Sequence, residues 1–207
     1  MAQNSSTETD PGDRDRRLAF MQISPETSKL LAEFWPSVEQ ALPPILDGFY
    51  DHLSSVPDLA KLVGGDSPRL KQAQTQHWAR LFSGRFDQAY IDGVRTIGTI
   101  HNKIGLEPRW YIGGYNFVLS KLSAAAVQIY RKRPDKLKAV LTAVNCAVML
   151  DMDFAISVYQ EAMLEERAVR QRKVDAALED FGTAMGAALK TVRGAAQQMQ
   201  ATASGLA

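Results

Sequence analysis

The chain has 207 residues, with 24 Lys plus Arg against 23 Asp plus Glu, three His and one Cys. That length suits one ordinary domain plus an extension, or one large domain, and a hydrophobic content of 45% excludes global disorder. A net charge of +1 leaves no positive field arguing for nucleic acid or an anionic membrane. One Cys cannot form an internal disulfide, which fits a reducing cytosol, and three His with one Cys leave little for a zinc cluster.

From the N-terminus, residues 1–17 are polar and carry no apolar segment after a basic start, so they do not read as a signal peptide. Arg16-Arg17 precedes only Leu18 to Met21 before polar Gln22. Residues 1–12 read as a flexible leader and 14–22 as a short helix. Ser24-Pro25 is an N-cap followed by a first-turn proline, and Leu30, Leu31, Phe34, Trp35, Val38 and Leu42 form an apolar stripe at helical spacing. Pro43-Pro44 reads as the next break, before a second stripe of Ile45, Leu46, Phe49, Tyr50 and Leu53. Gly64-Gly65-Asp66-Ser67-Pro68 is a turn and a cap. Glu107-Pro108 and Arg133-Pro134-Asp135 open two further helices. The longest apolar stretch, Ala139 to Leu150, is interrupted by Thr142 and Asn145 and falls short of the roughly 20 residues a spanning helix needs, so it reads as buried in a protein core. No segment alternates as a strand does. The prediction is an all-α domain over 13–170, with no membrane segment.

A composition shift follows. Residues 160–180 are densely charged, whereas after Asp180 only Lys190 and Arg193 carry charge. An apolar register persists through Val174, Leu178, Phe181, Met185, Ala188, Val192, Ala195 and Met199, alternating four and three as in a coiled coil. A lone helix with this seam leaves it in water, so the seam predicts a partner. Residues 171–207 are therefore expected to be a coiled-coil linker, cut inside a longer rod.

The histidines differ in setting. His101 shares the apolar face of Tyr90, Val94, Ile97 and Ile104. A buried imidazole needs a hydrogen-bond partner or a metal, and on these residues alone a satisfied core histidine is the simpler reading. His77 lies on the Leu70, Ala73, Leu81 face as a boundary residue, and His52 sits at a stripe margin, solvated. Cys146, Met149 and Met152 read as packing.

The run His101-Asn102-Lys103-Ile104-Gly105-Leu106-Glu107-Pro108-Arg109-Trp110-Tyr111 resembles the H-x-x-I-G-L-x-P-x-W-Y pattern of the globin-coupled sensors, haem-containing sensory globins. Gly48-Phe49-Tyr50-Asp51-His52-Leu53 resembles the segment with that family's distal tyrosine, and Arg69 to His77 its distal helix. The resemblance implies a globin-like domain holding haem b, with His101 as proximal ligand to the iron and one open position for oxygen or another diatomic gas. Gly105 would end the proximal helix and Pro108 begin the next. Tyr111 would hydrogen-bond the proximal imidazole. Tyr50 would donate to a bound gas, Leu70 and Ala73 would line the distal wall, and Trp110 would pack against the pocket or a helix interface. Where some members carry a distal Thr this chain has Ala73, leaving Gln74 or Thr75 to compensate. His77 resembles a histidine near the haem edge, where contact with a propionate is preferred to iron ligation.

The tail from Val192 to Leu206 resembles the opening of methyl-accepting chemotaxis signalling domains. The implied whole is a cytoplasmic aerotaxis transducer without catalytic activity. It would be a homodimer through its last two globin helices and coiled coil, acting on a chemotaxis histidine kinase through a coupling protein. Two alternatives stay open: a diguanylate cyclase or kinase output, and a haem-free all-α dimeric adaptor in which His101 is merely core. For an enzyme there is no Gly-rich phosphate loop, no G-x-S-x-G and no carboxylate pair in convincing context.

Overall fold

The computed structural model describes residues 11–204, so the expected leader lies outside the described residues except for Pro11-Gly12, which already belong to a helix. Among the described residues there are seven helices and no strand: α1 Pro11–Phe20, α2 Pro25–Ser54, α3 Pro57–Val63, α4 Ser67–Phe82, α5 Gln88–Lys103, α6 Pro108–Tyr130 and α7 Pro134–Ser204. The fold is all-α.

Local chemistry explains most of the boundaries. Ser24 caps α2 through a reciprocal pair with Thr27, and Pro25 takes the first turn, where its missing N–H costs nothing. Helix α5 closes on Gly105 at φ 77°. The Leu106 N–H reaches the His101 carbonyl at 3.0 Å and the Gly105 N–H reaches that of Asn102 at 3.1 Å. This paired closure satisfies the last carbonyls and needs a left-handed residue. Pro108 then opens α6 behind Glu107.

One expected boundary is overturned. Pro43-Pro44 does not break the chain, because α2 runs through Pro36, Pro43 and Pro44 to Ser54. Proline in a helix interior forfeits hydrogen bonds. Here Leu42, Leu46, Phe49 and Tyr50, each no more than 8% exposed, hold both sides of the proline pair against the core.

The core brings together Phe34, Leu42 and Leu46 of α2, Trp78 and Leu81 of α4, Ile91 and Val94 of α5, Tyr115 and Leu122 of α6, and Val144, Val148 and Phe154 of α7. Helix α1 is fastened to α7 by Arg17, which donates to Asp153 at 2.5 Å and to Ser157 at 2.8 Å and lies 4.9 Å over the Phe154 ring. Helix α7 contains a stretch long and apolar enough to cross a membrane by length and composition, and half of that stretch is buried in the protein.

The chain divides into two compact units, one ending at Tyr159 and one beginning at Gln160. In the second unit α7 exposes Val174, Leu178, Phe181, Met185, Leu189, Val192 and Met199. Arg170–Glu166 and Arg172–Glu165 ion pairs lie along it.

Candidate functional site

His101 sits in the last turn of α5, and its ring meets that of Tyr111 with centroids 5.0 Å apart. Its Nδ1 is buried and has no hydrogen-bond partner. Burial, with the nearby charge of His77, pushes its pKa down to about 4, so the imidazole is neutral at neutral pH. A neutral imidazole is the form in which a histidine ligates haem iron. The residues present fit that group.

Tyr111 does not hydrogen-bond His101 in this structure. Its hydroxyl lies 3.0 Å from that of Tyr115, one turn further along α6, and only its ring touches the imidazole. Tyr115 in turn donates to Asp151 Oδ2. Asp151, on α7, is fully buried and also accepts from the Tyr90 hydroxyl of α5 through Oδ1. His77 of α4 completes its shell, with Nε2 2.8 Å from Asp151 Oδ2. Three helices thus place side chains around one carboxylate on a fourth. Burial works against charge on both members of the pair. For Asp151 the His77 charge and the hydrogen bonds outweigh it and hold the carboxyl below its usual range. For His77 the Asp151 carboxylate outweighs burial and raises the imidazole above its usual value, although Arg80 opposes.

Tyr50 is 7% exposed on α2. Burial pushes its pKa up to about 12, partly offset by a hydrogen bond from Gln74, so the phenol keeps its proton. Gln74 is held by Trp78, whose indole donates to Gln74 Oε1 at 3.0 Å. Lys71 Nζ stands 5.9 Å from the Tyr50 ring centre and pairs with Asp47 at 2.7 Å.

Of the expected site residues, His101 and Tyr111 come together and Tyr50 is buried. Leu70 is half-buried. Ala73 is exposed, and the side chain one position on, Gln74, reaches Tyr50 instead. Thr75 spends its hydroxyl on the Lys71 carbonyl at 2.9 Å. Trp110 is 37% exposed: Tyr111, Tyr115, Val118 and Leu122 form the inward face of α6, and one residue earlier is about 100° of helix away. His77 holds a carboxylate of the chain itself, a partner the sequence reading did not identify. His52 is exposed and stacks on Phe117 at 5.5 Å.

Asp151, Tyr90 and Tyr115 were missed as a group. The available signal was Asp151 itself, one acid in register with Val144, Ala147, Phe154 and Ala155 on the buried face of α7. A charge on an apolar face implies a buried partner.

Residues 11–165 match the protein family described as Protoglobin. The chain is 27% identical over 179 residues to the heme-based aerotactic transducer HemAT of Halobacterium salinarum, a match covering 79% of this chain and 37% of that protein. The chain thus spans well under half the length of that relative. The fold is similar to the globin domain of a Geobacter sulfurreducens globin-coupled sensor, with TM-score 0.66 and 24% identity over 70% of this chain and 96% of that one. It is also similar to the ferric globin domain of E. coli DosC, with TM-score 0.58 and 17% identity over 70% and 97%.

Proposed function

The chain belongs to the protoglobin family, and from that premise we propose that it is the haem-based gas-sensing part of a signal transducer. The observation that carries this reading is His101, a half-buried neutral imidazole with a buried, unpaired Nδ1 at the end of α5. His101 would hold the haem iron as proximal ligand. The iron, when bound, supplies an open coordination position for a diatomic gas. Tyr50 keeps its proton, so its O–H would be available as a donor to a bound gas. Oxygen, which gains most from such a donor, is the favoured gas.

The Tyr111 ring packs on the His101 imidazole, and Gln74, itself fixed by Trp78, stands beside Tyr50. Preorganised donors of this kind act without reorganisation when the ligand arrives. The output belongs to this reading too. HemAT of Halobacterium is by name an aerotactic transducer, and the seam from Val174 to Met199 supports a homodimer with a chemotaxis-type relay in the cytoplasm.

The test is the visible spectrum of the full chain expressed with adequate haem. A Soret band is expected, shifting when oxygen is added to the ferrous protein, and His101→Ala should abolish it. A chain that folds but takes up no haem would instead be the all-α adaptor.

A further inference from the structure

The hydrogen-bonded chain behind His101 has a direction. A carboxylate has no proton to give, so both tyrosines that reach Asp151 must donate to it. Tyr115 has one proton, and Asp151 Oδ2 takes it. The 3.0 Å contact between the two tyrosine hydroxyls therefore runs from Tyr111 to Tyr115. Tyr111 also has one proton, now used. An imidazole that ligates a metal through one nitrogen carries its proton on the other and needs an acceptor there. His101 Nδ1 is buried without one, and the ring beside it is that of Tyr111.

We infer that Asp151 on α7 is a positioning residue for the haem site: by taking the Tyr115 proton it commits the Tyr111 proton to Tyr115, leaving the Tyr111 oxygen only lone pairs to offer His101. This rests on the haem reading above. The pairing with His77 at 2.8 Å keeps the carboxylate ionised and so keeps the direction fixed. Successive donation along Tyr111, Tyr115 and Asp151 also makes the Tyr111 oxygen a better acceptor, because hydrogen bonds in a chain polarise one another. A stronger acceptor raises the basicity of the ligating imidazole, which favours ferric over ferrous iron. The residue that sets this lies on α7 and touches neither His101 nor the gas.

The test is the haem midpoint potential of the full chain, read beside its melting temperature. Tyr111→Phe calibrates the effect by raising the potential. Asp151→Asn and Tyr115→Phe should each raise it in the same direction, and the double variant should go no further than Tyr115→Phe. Tyr90→Phe removes another hydrogen bond to Asp151 but lies off the path, so it should lower the melting temperature and leave the potential alone. If Asp151→Asn does not fold, Tyr115→Phe against Tyr90→Phe decides. Equal shifts from Tyr90→Phe and Tyr115→Phe, or wild-type potentials in Asp151→Asn and Tyr115→Phe, overturn the inference. So does a Tyr111→Phe variant with the wild-type potential. A wild-type chain with no Soret band defeats the haem reading itself, a different failure.

Discussion

Tyr50 shows how much one side chain depends on its support. Its side chain is largely buried and its phenol protonated, beside an amide that an indole holds. A hydrogen bond to a charged partner is worth about 1.5–3 kcal/mol, and each 1.4 kcal/mol is about tenfold in a rate or equilibrium. Tyr50→Phe should therefore speed oxygen dissociation by about tenfold or more, measured by stopped flow, and an unchanged rate would remove Tyr50 from gas binding. His101 and Tyr50 were named from sequence because a motif resemblance fixes their positions. The choice between Ala73 and Gln74, and the outward turn of Trp110, were not legible, because neighbouring helical residues differ by about 100° in direction and a motif does not say which of two adjacent side chains turns inward. Asp151 was visible only as a charge out of place. Its three partners come from positions 77, 90 and 115, and Tyr111 joins through Tyr115, separations that periodicity does not connect.

At the level of the helices, α5 and α7 meet at Gly98. A Cβ there would lie 3.0 Å from the Ala155 carbonyl oxygen and 3.2 Å from a Val158 methyl. The obstacle is backbone, which cannot swing aside. Gly98→Val should destabilise the chain by about 1–3 kcal/mol through overpacking, despite the better helix propensity of Val, and should shift the urea midpoint accordingly. The helices themselves were largely readable, since their starts carry Pro behind a cap and their stripes recur at three and four. The exception was Pro43-Pro44, where burial on both sides outweighs the local cost.

For the molecule as a whole, the buried pair makes stability depend on pH. Asp151 is lowered when folded, so its contribution is complete above the ordinary value of 3.8 and lost as pH falls through the folded one. His77 is raised, so its contribution is complete below 6.5 and lost as pH rises through the folded value. The pair therefore stabilises most between about 4 and 6.5 and less toward alkaline pH. The groups facing it include Tyr90, Tyr115, Tyr111, His101 and Arg80. Urea midpoints across pH should show the gap between wild type and Asp151→Asn closing as His77 deprotonates; a constant gap would mean that His77 is not charged in the fold. In the unit after Tyr159, Phe181 and Leu178 are 62% and 63% exposed. Replacing both with Lys should convert the proposed dimer to monomer in sedimentation while leaving the Soret band intact.

The Arg17 contacts carry a practical consequence for anyone dissecting the protein. The segment before Ile23 looks expendable, a polar lead-in to the first capped helix. Yet its arginine covers Phe154 and binds Asp153 and Ser157, within two turns of the carboxylate that organises the tyrosines. A fragment begun at residue 23 to isolate a minimal sensor would strip that cover from α7. Its spectra would then report a loosened proximal side rather than the native one.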